Sequence, residues 1–245
     1  MTKILGIIPA RYQSVRFPAK ALVDIGGKSM IQRVYEQSEK AKSIAGVVVA
    51  TDHEEIFNTV KNFGGRVVMT SPDHPSGTDR CHEALTLQQE TYDYVINIQG
   101  DEPFINPQQI DLLASLLDGD TELATLAKKI EDPEEVHDPN VVKVVSDRHG
   151  QALLFSRGTI PYVRNHEKDD WINQRDFFKH IGIYAYRVDI LGEITGLPPS
   201  PLEKSEALEQ LRWLENGYRI KVSETTFPSI GIDSPEDLEK VRGLY

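Results

Sequence analysis

Several things are scarce in this sequence, and each shortage excludes a class of protein. Cysteine occurs once in 245 residues, as Cys81, so an intramolecular disulfide and a multi-cysteine zinc site are both excluded. Basic residues are outnumbered, with 27 Lys and Arg against 38 Asp and Glu and a formal charge of −11. A surface of that sign argues against nucleic acid or an anionic membrane as a partner. No apolar run approaches the ~20 residues that span a bilayer. Pro9 and Arg11 arrive too early for a secretory leader, so a cytosolic location is expected. Internal repeats and low-complexity tracts are absent too. The full Walker pattern is missing, since Leu22 stands where its first glycine would precede Gly27-Lys28-Ser29, and so is the glycine spacing of a dinucleotide fingerprint. What remains is a chain long enough for a sizeable core, with an ordinary 39% hydrophobic content.

Against that acidic background one basic stretch stands out. Ile4 to Ile8 is a short run rich in β-branched residues, which reads as a buried strand. Pro9 and Pro18 then interrupt regular structure, and Arg11, Arg16 and Lys20 sit between and just after them. Such a loop is either a solvated connection or a polyphosphate clamp, since arginine offers a planar fork to phosphate oxygens and lysine a compact charge. In open α/β sheets, ligands bind beyond the carboxyl ends of the strands, where this loop begins.

The pattern that follows is strand alternating with helix. Ser29 and Gln32 resemble a capping box for a helix from about Ser29 to Ile44. Val47–Thr51 reads as a strand, with Asp52 and Glu55 as caps of the next helix; a third strand is predicted at Arg66–Thr70. A helix carrying Arg80 begins near Thr78, and Tyr94–Gln99 is a strand ending in Gly100-Asp101-Glu102-Pro103. This alternation implies parallel pairing in a nucleotide-binding type of α/β sheet. After about residue 130 the pattern becomes strand-turn-strand, Val141–Val145 and Ala152–Ser156, which suggests a smaller lobe at about 131–190 within a single 1–245 domain. Arg157 alternates with Leu153 and Phe155 and needs an anionic partner, from the protein or from a substrate. Residues 164–176 read as a mobile polar loop. In Lys179–Arg187, His180, Gly182, Tyr184 and Tyr186 share a face on which a polyol would fit in the gap at Gly182, though an ordinary aromatic face gives the same pattern. Ser205–Asn216 reads as one helix with Glu209 and Gln210 on its flank.

Two aspartates end apolar runs just before turns. Asp101 is one. The other is Asp233, which Ser234, Pro235 and Asp237 relieve of capping duty. If both runs belong to one sheet, both carboxylates reach its carboxyl edge. Mg²⁺ is commonly held by one or two carboxylates plus substrate phosphates. The pair and the basic loop together suggest phosphoryl chemistry on a nucleoside triphosphate.

Taken end to end, the motifs resemble those of the 3-deoxy-manno-octulosonate (Kdo) cytidylyltransferases, or CMP-Kdo synthetases. They are Ile8-Pro9-Ala10-Arg11 through Ser14, Arg16, Pro18 and Lys20; Ser76-Gly77-Thr78-Asp79-Arg80; Asn97 to Pro103; Asn140 to Val145; Phe155-Ser156-Arg157; His180 to Arg187; Leu208 to Arg212; and Gly231 to Asp237. The resemblance implies a Rossmann-like nucleotidyltransferase fold, mostly parallel, with a smaller hairpin-containing dimerisation lobe. It implies CTP and Kdo as substrates, CMP-Kdo and diphosphate as products, Mg²⁺ as cofactor, and a homodimer feeding lipopolysaccharide synthesis. By resemblance, Arg11, Ser14, Arg16 and Lys20 hold the triphosphate, and Pro9, Ala10, Thr78 and Arg80 lie near the cytidine. Asp101 and Asp233 carry the metal; Gln99, Arg157, His180, Tyr184, Glu209 and Gln210 form the sugar-acid site. Val15, Ala19 and Ala21 stand where Thr, Gly and Pro are common in such proteins, and Gly158-Thr159 replaces Ala-Pro. A cytidylyltransferase for 8-amino-Kdo or for a capsule pathway shares these motifs. A non-catalytic nucleotide-binding module is the alternative from another class.

Overall fold

In the computed structural model, which describes residues 2–13, 17–241 and 243, the first apolar run becomes strand β1 (Ile4–Ala10). Its alternation sorts side chains to two cores: Ile4 and Ile8 face one, Leu5 and Ile7 the other. Helix α1 (Met30–Ser38) starts where Ser29 accepts a hydrogen bond from the Gln32 amide. The reciprocal half of the capping box is absent, because the Gln32 side chain donates to Glu36 instead. The helix also stops short of Ile44. The amides of Lys42 and Ser43 turn to the Asp111 carboxylate, at 2.8 and 2.9 Å, and so leave the helical ladder.

Strand β2 (Gly46–Thr51) leads into α2 (Glu54–Asn62). The cap there is His53, whose ring nitrogen accepts from the Glu55 amide. Asp52, expected in that role, is engaged elsewhere. Next come β3 (Val67–Met69), α3 (Gly77–Thr86, capped by Ser76), β4 (Tyr94–Asn97), α4 (Pro107–Ala114, capped by Asn106) and β5 (Leu123–Lys129). After α5 (Pro133–His137), strands β6 (Lys143–Ser146) and β7 (Ala152–Ser156) form an antiparallel hairpin. Leu153 on this hairpin is 63% exposed, so the face it was expected to share with Phe155 and Arg157 is not uniformly buried. Within 164–176, a 3-10 turn and α6 (Trp171–Gln174) form where an irregular loop was expected. The buried Trp171 ring anchors them, its Nε1 donating to the His166 carbonyl at 3.0 Å.

The remaining elements are β8 (Phe178–Arg187), α7 (Val188–Thr195), α8 (Pro201–Glu206), α9 (Gln210–Glu215), β9 (Ile220–Glu224) and α10 (Pro235–Lys240). The single helix expected over 205–216 is therefore two. Ala207 adopts the left-handed conformation between them, at φ 50° and ψ 49°. Ile230–Ile232 is not a strand. These residues are tied to the site by one backbone bond described below.

Among the described residues one sheet forms, in the order β3-β2-β1-β4-β8-β5-β9, with the β6–β7 hairpin attached beside β8. Strands β1 to β4 run parallel; β8 runs antiparallel to both β4 and β5. The face of β8 bearing Ile181, Ile183 and Ala185 joins one core, and Tyr184 and Tyr186 join the other. Gly182 leaves no gap for a polyol, since the Gln99 side chain lies over it and donates to its carbonyl at 2.8 Å.

Candidate functional site

The loop after β1 is drawn back on itself by a bond from the Ala19 amide to the Tyr12 carbonyl, 2.9 Å. This fold presents Lys20 to the carboxyl edge of the sheet. Ser14 and Arg16 lie outside the described residues. The turn after β4 comes equally close: a Cβ on Gly100 would lie 2.9 Å from the Pro9 carbonyl oxygen, so only glycine lets Asp101 sit against the end of β1. The third piece comes from the far end of the chain. Ser234 and Asp237 make a complete capping box for α10, which leaves the Asp233 carboxylate available to Lys20. The Ile232 amide donates to the Asp101 carbonyl at 2.9 Å and holds the two acidic segments together.

The result is an ammonium bridging two carboxylates. Lys20 Nζ donates to Asp101 Oδ2 at 2.6 Å and to Asp233 Oδ1 at 2.9 Å. Burial alone would push the lysine pKa down, but the two acids outweigh it and the pKa is raised. These groups open into a cavity of about 440 Å³ lined also by Pro9, Ala10, Arg11, Arg80 and Gln99. Ala21, Gly100, His74, Pro75, Ser76 and Gly77 complete the wall; Ser76 and Gly77 belong to the helix-entry motif, whereas His74 and Pro75 have no role that the sequence assigns. The signal that they matter was their position, a turn-rich loop feeding a helix N-terminus at a strand edge. The His74 ring is held there by the Glu83 carboxylate.

Arg80 borders the cavity but its charge is spoken for. Its guanidinium is buried, paired to Asp52 at 2.8 Å and hydrogen-bonded to Thr70 Oγ1 at 2.6 Å. Asp52 in turn accepts from the Tyr12 amide at 3.2 Å. The pair therefore fixes the root of the basic loop, and the Tyr12 ring stacks on His53 with centroids 3.6 Å apart.

The sugar-acid residues named by resemblance do not line this cavity, Gln99 excepted. They gather beside it, on β8 and at the α8–α9 break. His180 Nε2 lies 3.0 Å from Thr125 Oγ1. Burial pushes its pKa down to about 3. Tyr184 is buried, and its hydroxyl has no hydrogen-bond partner among the described residues; the same holds for Oδ1 of Asn97, its cross-strand neighbour. Gln210 is buried on α9. Glu209 reaches back to Thr78, whose Oγ1 donates to it at 2.8 Å, so α3 and the break are physically joined. Burial raises the Glu209 pKa, and the bond from Thr78 opposes the rise. The Arg157 guanidinium meets three backbone carbonyls, of Glu206, Pro139 and Ala207.

Among the described residues no group of three or more His, Cys, Asp or Glu side chains converges as a protein-only metal cage. No helix among the described residues is long and apolar enough to cross a membrane.

Known proteins resemble this chain in sequence and in fold. The Cytidylyltransferase family model matches residues 5–221. A 3-deoxy-manno-octulosonate cytidylyltransferase of Cytophaga hutchinsonii is 56% identical over 239 residues, covering 97% of this chain and 96% of its own. That of Parabacteroides distasonis is 53% identical, covering 98% and 97%. A solved structure of CMP:2-keto-3-deoxy-manno-octonic acid synthetase complexed with CTP superposes with a TM-score of 0.92 at 43% identity, over 99% of this chain and 98% of that one. A 4-diphosphocytidyl-2C-methyl-D-erythritol synthase from Anaerococcus prevotii shares the fold alone, at TM-score 0.64 and 15% identity over 99% of this chain and 96% of its own. With a lysine-bridged pair of aspartates at the mouth of a Rossmann-like sheet, and half its residues shared with such relatives along nearly its whole length, the chain belongs to the 3-deoxy-manno-octulosonate cytidylyltransferase family.

Proposed function

We propose that this protein transfers the cytidylyl group of CTP to 3-deoxy-D-manno-octulosonate, giving CMP-Kdo and diphosphate for lipopolysaccharide synthesis. The observation that carries the reading is the Lys20 bridge between Asp101 and Asp233 at the edge of the cavity. The anomeric hydroxyl of the sugar acid gives its proton to solvent as its oxygen forms a bond to the α-phosphorus, while the bond from that phosphorus to the bridging oxygen breaks and diphosphate leaves with the electron pair. Lys20 and Arg11 line the cavity as cations for the charge that gathers on the departing oxygens. Arg16 belongs with them by its place in the loop.

The two aspartates fit a hard divalent cation. Their hard oxygen donors converge from separate segments, and a positive group, the Lys20 ammonium, already sits between them. Asp101 and Asp233 would hold Mg²⁺. Once bound, it would neutralise phosphate charge and lower the pKa of the attacking hydroxyl. The acceptor side suits a polyol acid: Tyr184 and Asn97 keep buried polar atoms that no protein group satisfies among the described residues, and hydroxyls are the economical partners for them. We further infer a homodimer working in the cytoplasm.

The test is direct. Purified protein with CTP, Kdo and Mg²⁺ should release diphosphate, and 8-amino-Kdo should be the poorer acceptor. Release with 8-amino-Kdo alone would move the assignment to the neighbouring activity. No release with either acid would favour a binding module.

A further inference from the structure

We propose that Glu206 is a positioning residue for the sugar-acid site, acting through Arg157 as half of a two-way clamp. The inference rests on the sugar-acid reading of that site and adds a residue to it. Glu206 is the last residue of α8. Its carboxylate accepts from Ser156 Oγ at 2.7 Å and from the Arg157 amide at 2.8 Å. The return grip comes from the Arg157 side chain, whose Nε donates to the Glu206 carbonyl at 2.7 Å and whose Nη2 reaches the Ala207 carbonyl at 3.5 Å. Each residue thus holds the other's backbone with its side chain.

Two physical problems are solved at once. The last carbonyls of α8 have no partner in their own helix, and a cation is a favourable donor to them. The β7 strand ends at Ser156, so the Arg157 amide has no ladder partner, and the carboxylate supplies one. A third element locks the grip. Lys143 is fully buried, and its Nζ donates to the carbonyls of Arg157, Asp138 and Val141 at 2.9, 2.8 and 2.6 Å. Arg157 is therefore held by its amide, its carbonyl and its guanidinium.

The consequence lies three residues downstream. Ala207 turns through the left-handed region, and Glu209 and Gln210 follow it after Leu208. The clamp fixes the start of that turn relative to β7. It thereby sets where Glu209 arrives against Thr78 and where Arg157 stands at the end of β7. Loosening the clamp lets the acceptor groups drift relative to one another, while the Lys20, Asp101 and Asp233 cluster is held by other bonds.

The experiment is Glu206→Ala in the whole chain; alanine is the best helix former, so α8 itself is not penalised. Kdo KM at saturating CTP should rise by roughly tenfold or more, as for other supporting residues. CTP affinity, by calorimetry without acceptor, should stay within about twofold of wild type. Amide hydrogen exchange should quicken at 156–159 and 207–210. Glu206→Gln still accepts from the Arg157 amide while its own amide donates to Ser156 Oγ, and should recover most of the acceptor affinity. If Glu206→Ala does not fold, Ser156→Ala removes one of the two carboxylate contacts and should give a smaller change in the same sense. An unchanged Kdo KM, or equal weakening of CTP and Kdo, overturns the proposal. Should the wild-type enzyme release no diphosphate with Kdo, the acceptor assignment fails and the exchange measurement decides alone: equal protection in variant and wild type refutes the clamp.

Discussion

Asp52 and Arg80 form a buried ion pair, 2.8 Å between carboxylate and guanidinium, with side chains 13% and 4% exposed. The pair also sets the basic loop, because Asp52 takes the Tyr12 amide. Breaking it by Asp52→Ala leaves an unpaired buried cation, which costs about 3 kcal/mol or more. For a chain of this size the melting temperature should fall by roughly 6–12 °C. CTP affinity should weaken alongside, since the root of the loop loses its acceptor. Thermal melts and calorimetry check both.

Replacing Lys20 by Met should cut turnover by at least ~100-fold while the protein stays folded. Asp101→Asn should nearly abolish activity in the same assay. Near-normal diphosphate release from Asp101→Asn would refute the metal role given to that carboxylate.

Much of this cluster was legible in the sequence, for a physical reason. Asp233 stands out because Ser234, Pro235 and Asp237 already complete a cap, and arithmetic of that kind needs only neighbours in the chain. Lys20 and Arg11 stand out because, with Arg16, they place three like charges on one short loop, which repel one another unless anions sit among them. The alternation of β1 to β4 with helices likewise rests on local periodicity. What was not legible depends on distant partners. Asp52 has the composition of a cap, but Arg80, far along the chain, offers it a buried ion pair, and His53 takes the cap instead. Residues 201–216 have helix-forming character across the break, and only the grip between Glu206 and Arg157 shows why the helix parts at Ala207. Ile230–Ile232 has strand composition, yet it is used as a strap across Asp101.

His180 gives a pH prediction. Its pKa in the folded protein lies near 3, below the ordinary 6.5, because burial disfavours the charged ring. The contribution to stability is complete above about pH 6.5 and is lost as pH falls from there toward 3, where the unfolded chain binds the proton first. The imidazole resonances should stay flat between pH 8 and 5. The drop in melting temperature from pH 7.5 to 5 should shrink in His180→Gln.

Two alanines occupy the left-handed region, Ala19 at φ 54° and Ala207 at φ 50°. For an L-residue with a Cβ that conformation costs about 1 kcal/mol. Ala207→Gly should therefore raise the melting temperature by roughly 2–4 °C. Ala19→Gly should stabilise less if glycine there also frees the loop when CTP is absent, and calorimetry with CTP would show the difference as a larger entropic penalty on binding.

The reversed strand β8 has a consequence for how the chain is made. Its ten residues fill the slot between β4 and β5, but they are synthesised after both. From Lys129 to Phe178, a growing polypeptide leaves both edges of that slot uncovered, for roughly 2–10 s at ordinary elongation rates. During that interval the half-built sheet is a template for adhesion to its neighbours. Emergence of β8 from the ribosome is the event that seals it, so yield in a cell should respond to translation speed across this interval even when the finished enzyme is unaltered.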